Sequence, residues 1–207
     1  MRPFISLPPA GARQTVGILG GSFNPAHAGH RQISLDALKR LGLDWVWWLV
    51  SPGNPLKSHA GLEPLDVRMA QARAVAAHPR IKITDLEARL FHPARPAYSA
   101  RTLGYLRRRR PDLHFVWLMG ADNLASFHRW HAWQAIADSA PIAVFDRPGY
   151  RLAACASTAA HRYGLHSVES AKILARQTPP HIGFITIALN NQSSTALRRK
   201  ALPPSLT

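Results

Sequence analysis

Six short apolar runs punctuate the chain: Val16–Leu19, Trp45–Val50, Ile81–Thr84, Phe115–Met119, Pro141–Phe145 and Ile182–Ile187. Most lack the apolar/polar alternation of a half-buried strand, so they read as strands covered on both faces, as in parallel sheets. Between them, helical spacing predicts helices over Gly29–Leu41, Pro64–Ala77, Ser99–Arg110 and Trp130–Asp138, with two more over Val168–Arg176 and Ser193–Ala201. Alternating strands and helices predict a doubly wound, mainly parallel α/β sheet with helices on both faces, a Rossmann-like architecture. Ligands of such sheets sit beyond the carboxyl ends of the strands. That rule directs attention to residues 20–30, 51–59, 120–131 and 146–150. Residues 14–207 read as one domain, and the proline-broken stretch 1–13 as a flexible leader with too short an apolar run for a signal peptide.

Composition narrows the function only slightly. No run of eighteen apolar residues is present to span a bilayer, and the single Cys155 has no second thiol for a disulfide or a zinc site. A soluble protein of a reducing cytoplasm is the expectation, with no membrane partner. Lys and Arg outnumber Asp and Glu by 26 to 11, a formal charge of +15. The excess favours an anionic partner, and an RNA-binding protein is one reading of it. Yet the basic residues are scattered, except for Arg107–Arg110, which closes a predicted helix where cations suit the negative end of the dipole. A pocket for small phosphorylated molecules is the other reading.

The chemistry concentrates in VGILGGSFNPAHAGH, residues 16–30. Gly20 and Gly21 follow the first strand directly and a helix starts near His30. Glycines let backbone N–H groups approach a ligand, and a helix N-terminus offers unpaired donors at its positive end, so this is an anion site. The spacing is neither a P-loop, nor a G-x-G-x-x-G dinucleotide turn, nor a G-x-S-x-G elbow. His27 and His30, three apart, share one face of the helix start. There the dipole disfavours imidazolium and leaves neutral N–H donors for phosphate oxygens. A metal site would want a third ligand that no H-E-x-x-H or Cys pair supplies; a purely structural turn also stays open.

GSFNPAHAGH resembles the signature loop of the nucleotidyltransferase superfamily that carries H-x-G-H, and further blocks narrow the resemblance. SPGNPLKS, GADNLASFHRWHAW, FDRPGY and NNQSSTALR are similar, in order, to blocks of the bacterial nicotinate mononucleotide adenylyltransferases, covering Val16 to about Leu202. The resemblance implies transfer of the adenylyl group of ATP, with Mg²⁺, to nicotinate mononucleotide, and no nucleic-acid partner. It implies catalytic roles for His27, His30, Lys57 and Arg198. ATP would be held by Gly20, Gly21, Ser22, Phe23, Gly120, Asp122, Ser193, Ser194 and Thr195. The nicotinate nucleotide would meet Asn24, Lys57, Tyr98, Thr102, Trp130, His131 and Arg147. No residue is assigned as a protein metal ligand. A sibling transferase acting on the amide nucleotide or on phosphopantetheine is the nearest alternative. Asn24 stands where many relatives carry Asp, Arg101 replaces an acidic residue before Thr102, and NNQSST lacks the common apolar residue before its serines.

Overall fold

The computed structural model describes residues 5–53, 61–92, 96–167, 171–187 and 194. The strands are β1 (Thr15–Gly21), β2 (Trp45–Val50), β3 (Ile81–Thr84), β4 (His114–Gly120), β5 (Ile142–Phe145), β6 (His166–Ser167) and β7 (Ile182–Ile185). The helices are α1 (Ala28–Arg40), α2 (Leu65–Ala76), α3 (Leu86–Leu90), α4 (Ser99–Arg109), α5 (Ala121–Ser126), α6 (Trp133–Ala137), α7 (Arg151–Cys155), α8 (Thr158–Tyr163) and α9 (Ala171–Leu174), with a 3₁₀ turn at Phe127–Arg129. Every strand pair is parallel, in the order β3-β2-β1-β4-β5-β7-β6.

The six apolar runs are the six longer strands, and the pleat explains their uniformity. Along β2, Trp47 and Leu49 enter one core while Val46, Trp48 and Val50 enter the other; β4 divides Phe115, Trp117 and Met119 from Val116 and Leu118 in the same way. Each face buries apolar side chains under helices, which removes any alternation from the sequence. On α1, Ser34, Ala37 and Leu38 are the buried stripe, with Lys39 and Arg40 in the last turn. On α4, Thr102, Leu103 and Leu106 face inward, and Arg107, Arg108 and Arg109 end the helix in solvent.

Two expectations need adjustment. The helix predicted over Trp130–Asp138 is only Trp133–Ala137, because Ala132 takes a left-handed φ of 50° and interrupts it. The stretch suggested as a leader is docked in its described part. Ile5, Leu7 and Ala10 pack against the core, Arg110 donates to the Ala10 carbonyl, and the Arg13 N–H to that of Asp112. The helix predicted from Ser193 lies outside the described residues, except for Ser194. Strand order reverses between β1 and β4, so the topological switch point, and the crevice it opens, lies where Gly20–Gly21 and Gly120 end their strands.

Candidate active site

At that switch point β1 ends on Gly20 and Gly21. Neither glycine has a left-handed φ; a Cβ on Gly20 would stand 3.3 Å from the Trp117 ring and one on Gly21 3.4 Å from Phe23. Gly20 therefore leaves room for the Trp117 ring, whereas a Cβ on Gly21 would make an ordinary contact with Phe23. The left-handed turn falls instead on Phe23, at φ 47°, which drives its ring under α1 to stack on Trp48 at 4.8 Å and contact His30 at 4.7 Å. Phe23 thus contributes a buried side chain as floor, and Ser22 a backbone carbonyl bonded to Arg68.

His27 caps α1 and His30 sits in its first turn, with ring centroids 3.8 Å apart. The His27 backbone N–H donates to His30 Nδ1 at 3.2 Å. A neutral ring that accepts on Nδ1 carries its proton on Nε2, so His30 presents an N–H donor. His27 Nδ1 is buried with no partner. Burial, then the positive charge of Arg147, pushes the His27 pKa down to about 4. Burial, then His27 and Arg147, holds His30 well below the ordinary imidazole value. Both rings are neutral at pH 7, chiefly through desolvation rather than through the helix dipole that the sequence suggested.

Arg147 follows β5 and reaches across to Asp122, Nη1 to Oδ2 at 2.5 Å. Its positive charge acts on both imidazoles, so it lies on their side of the crevice. Asp122 keeps its other oxygen, Oδ1, buried and unpartnered. A Cβ on Gly120 would fall 2.5 Å from that oxygen. Gly120→Ala is accordingly expected to displace the carboxylate, break its pair with Arg147 and raise the KM for ATP by about tenfold, near 1.4 kcal/mol of binding. Steady-state kinetics check this, and an unchanged KM would dissociate Asp122 from nucleotide binding.

Asn24 is buried and bridges two backbone groups, donating from Nδ2 to the Gly61 carbonyl at 2.8 Å and accepting on Oδ1 from the Glu63 N–H at 3.2 Å. An aspartate could not make the first of these, which gives this departure a local structural use. Tyr98 and His131 stack at 4.1 Å, joining the start of α4 to the 130–131 turn, and Trp130 packs edge-on to Phe127 and Trp117. Thr102 is fully buried, with its hydroxyl donated to Glu87 Oε1 at 3.0 Å. Its side chain is bonded inward rather than lining a cavity. Ser194 donates to the Pro25 carbonyl at 2.9 Å, which puts that residue against the loop carrying His27. Lys57, Ser193, Thr195 and Arg198 lie outside the described residues.

Sequence reasoning passed over Arg68. It is 1% exposed and donates to the carbonyls of Glu63, Ser22, Ser51 and Pro52, tying the loop after β1 to the loop after β2. An arginine in LDVRMAQARAVA, which carries a second at Arg73, reads as part of a solvated face; nothing local shows that Arg68 points inward.

A glycine-flanked strand end, paired imidazoles on a helix start and an arginine–aspartate pair across a parallel-sheet switch point define a nucleotidyltransferase-type site. The cytidylyltransferase-like family matches residues 18–200. The chain is 49% identical over 195 residues to a probable nicotinate-nucleotide adenylyltransferase of Roseobacter denitrificans, covering 93% of this chain and 96% of that one. It is 48% identical over 190 residues to its namesake in Brucella abortus, covering 91% and 96%. It belongs to the nicotinate-nucleotide adenylyltransferase family. A solved structure similar in fold is the Plasmodium falciparum nicotinic acid mononucleotide adenylyltransferase complexed with NaAD, at TM-score 0.68 and 15% identity, over 90% of this chain and 83% of that one.

Proposed function

We propose that the protein transfers the adenylyl group of ATP to nicotinate mononucleotide, giving nicotinate adenine dinucleotide and pyrophosphate in NAD biosynthesis. The observation that carries this reading is the pair of neutral imidazoles, with one buried nitrogen unpartnered, on the helix start that faces the switch-point crevice. An oxygen of the mononucleotide phosphate forms a bond to the α-phosphorus of ATP while the bond from that phosphorus to the bridging oxygen of pyrophosphate breaks. The nucleophile is already anionic at neutral pH, so no general base is required. Catalysis is positioning plus stabilisation of charge on the phosphoryl oxygens.

His27 and His30 donate to triphosphate oxygens, where neutral N–H groups in a desolvated site gain strength as charge develops. Arg147 adds positive charge beside them, and Lys57 and Arg198 are assigned the same task. Asp122 accepts from ribose hydroxyls, for which its free Oδ1 is suited. Trp130, His131 and Tyr98 form the aromatic end for the nicotinate ring. Among the described residues no three His, Cys, Asp or Glu side chains converge as a metal cage. Magnesium arrives with the ATP substrate and neutralises its phosphates. Among the described residues no helix is long and apolar enough to cross a membrane, and Cys155 is an exposed free thiol. A reducing cytoplasm suits that thiol.

Purified protein, ATP, Mg²⁺ and either the acid or the amide mononucleotide form the test, read by pyrophosphate release. Higher kcat/KM for the acid is expected. Higher kcat/KM for the amide would reassign the substrate, and turnover with neither would overturn the reading.

A further inference from the structure

At the open edge of the sheet, away from the reacting crevice, a groove of about 600 Å³ follows β3. Residues 6–9 line it from one face of the sheet and the last turns of α2 from the other, with Ile81–Thr84 between them. Its floor is a bare strand edge. The Arg80 carbonyl accepts from the Val46 N–H, and alternate residues of a parallel strand face the partner strand, so Lys82 and Thr84 also turn their backbone toward β2. Ile81 and Ile83 turn theirs outward. The Ile81 N–H is taken by the His78 carbonyl, which leaves the Ile83 N–H as an outward donor.

The lining side chains divide into an apolar part, with Met69, Ala76 and Ile81, and a basic part, with Arg73, His78 and Lys82. Asp85 also lines the groove, but its carboxylate is paired with Arg89 at 2.8 Å. Arg73 is exposed and Lys82 lies over the Trp45 ring at 5.2 Å; neither has a carboxylate partner among the described residues. His78 accepts on Nδ1 from the Arg80 N–H at 3.2 Å, so its neutral ring offers Nε2–H as a donor. Burial, then the charges of Arg80 and Arg31, hold its pKa below the ordinary imidazole value, in keeping with a positive field.

We propose that this groove is a second ligand site, for a small organic anion with a flat apolar body. The anionic group meets Arg73, His78 and Lys82, and the body lies against Met69, Ala76 and Ile81. The volume falls within the span of small-ligand sites, about 300–1,000 Å³. A strand of four residues that carries a lysine offers little to an added peptide strand, which leaves a small molecule as the occupant. The site stands independently of the reaction proposed above, because none of its lining residues is assigned to ATP or to the mononucleotide.

Anilinonaphthalene sulfonate, a flat aromatic anion, is the probe. Its fluorescence on the folded protein is expected to rise saturably, and amide resonances of Ile81–Thr84 are expected to move while those of Gly20, Gly21 and His30 stay in place. Phenylnaphthylamine, which keeps the rings and lacks the sulfonate, is expected to bind about tenfold more weakly, as is the sulfonate to the double variant Arg73→Glu, Lys82→Glu; each loss is the worth of two exposed ion pairs. If the double variant does not fold, Arg73→Gln replaces it, with an expected loss of about threefold, one such pair. Equal affinity for the charged and uncharged probes would overturn the proposal. So would variant affinities equal to wild type, shifts confined to the Gly20–His30 loop, or no saturable binding.

Discussion

Replacing His30 with Ala is expected to lower kcat by about 10²–10³-fold while changing the Kd for ATP by less than about threefold, the pattern of a donor whose contact tightens in the transition state. The geometry explains why one ring carries so much. The His27 N–H occupies Nδ1 of His30, so the remaining proton sits on Nε2. Phe23 and His27 fix the ring plane from two sides at 4.7 and 3.8 Å. An oriented donor in a desolvated pocket needs no reorganisation when charge grows on the phosphoryl oxygens. The structural cost of the substitution is one lost cap acceptor, about 1 kcal/mol, or roughly 2–4 °C in Tm for a domain of this size. Single-turnover kinetics with calorimetric titration of ATP separate the two effects. A kcat within threefold of wild type would remove His30 from the reaction.

Arg68→Met is expected to give the largest loss of stability, about 3–5 kcal/mol, because several buried carbonyls lose their donor at once. Arg68 forms no carboxylate pair within salt-bridge distance among the described residues; its charge is dispersed over the carbonyls of Ser22, Ser51, Pro52 and Glu63, at 2.6 to 3.4 Å. Burial correspondingly lowers its pKa from the ordinary guanidinium value. Methionine matches its length and satisfies none of those oxygens. Tm should fall by roughly 10 °C. Activity should fall too, since the loops after β1 and β2 no longer share an anchor. Arg68→Lys should recover part of the stability, as a point donor replaces a planar fork. Differential scanning calorimetry checks both, and a Tm within about 2 °C of wild type for Arg68→Met, under 1 kcal/mol, would show that water takes the guanidinium's place.

The strands were legible because each is a short apolar run, and the switch-point rule then located the glycine and histidine loop without any coordinates. That loop is one contiguous stretch, so its spacing alone exposes an anion site. The short helices Leu86–Leu90, Ala121–Ser126, Arg151–Cys155 and Thr158–Tyr163 were not legible, since five or six residues hold too little periodicity. Glu87 follows β3, a strand at the sheet edge whose loop carries no glycine or histidine pattern to single it out. Arg68 and Glu87 share one reason for escaping notice: most of the partners of Arg68, and Thr102 for Glu87, lie 15 to 46 residues away, and an isolated Arg or Glu reads as surface. The docked residues 5–13 were hidden by their prolines, because the carbonyls of Ser6 and Ala10 bind arginines distant in sequence, Arg89 and Arg110.

Nitrogen-15 NMR of the two imidazoles bears most directly on neutral donors aimed at a triphosphate. The folded pKa of His27, about 4, lies below its unfolded value of 6.5. The native state thus binds fewer protons in that window, and stability is lost as pH falls from 6.5 toward 4. At about pH 6, both rings of the folded protein are expected to give neutral-imidazole shifts, His30 as the Nε2–H tautomer, and saturating MgATP is expected to move those resonances. Imidazolium shifts from either ring at that pH, or resonances unmoved by bound MgATP, would contradict the assignment of these histidines to the phosphates.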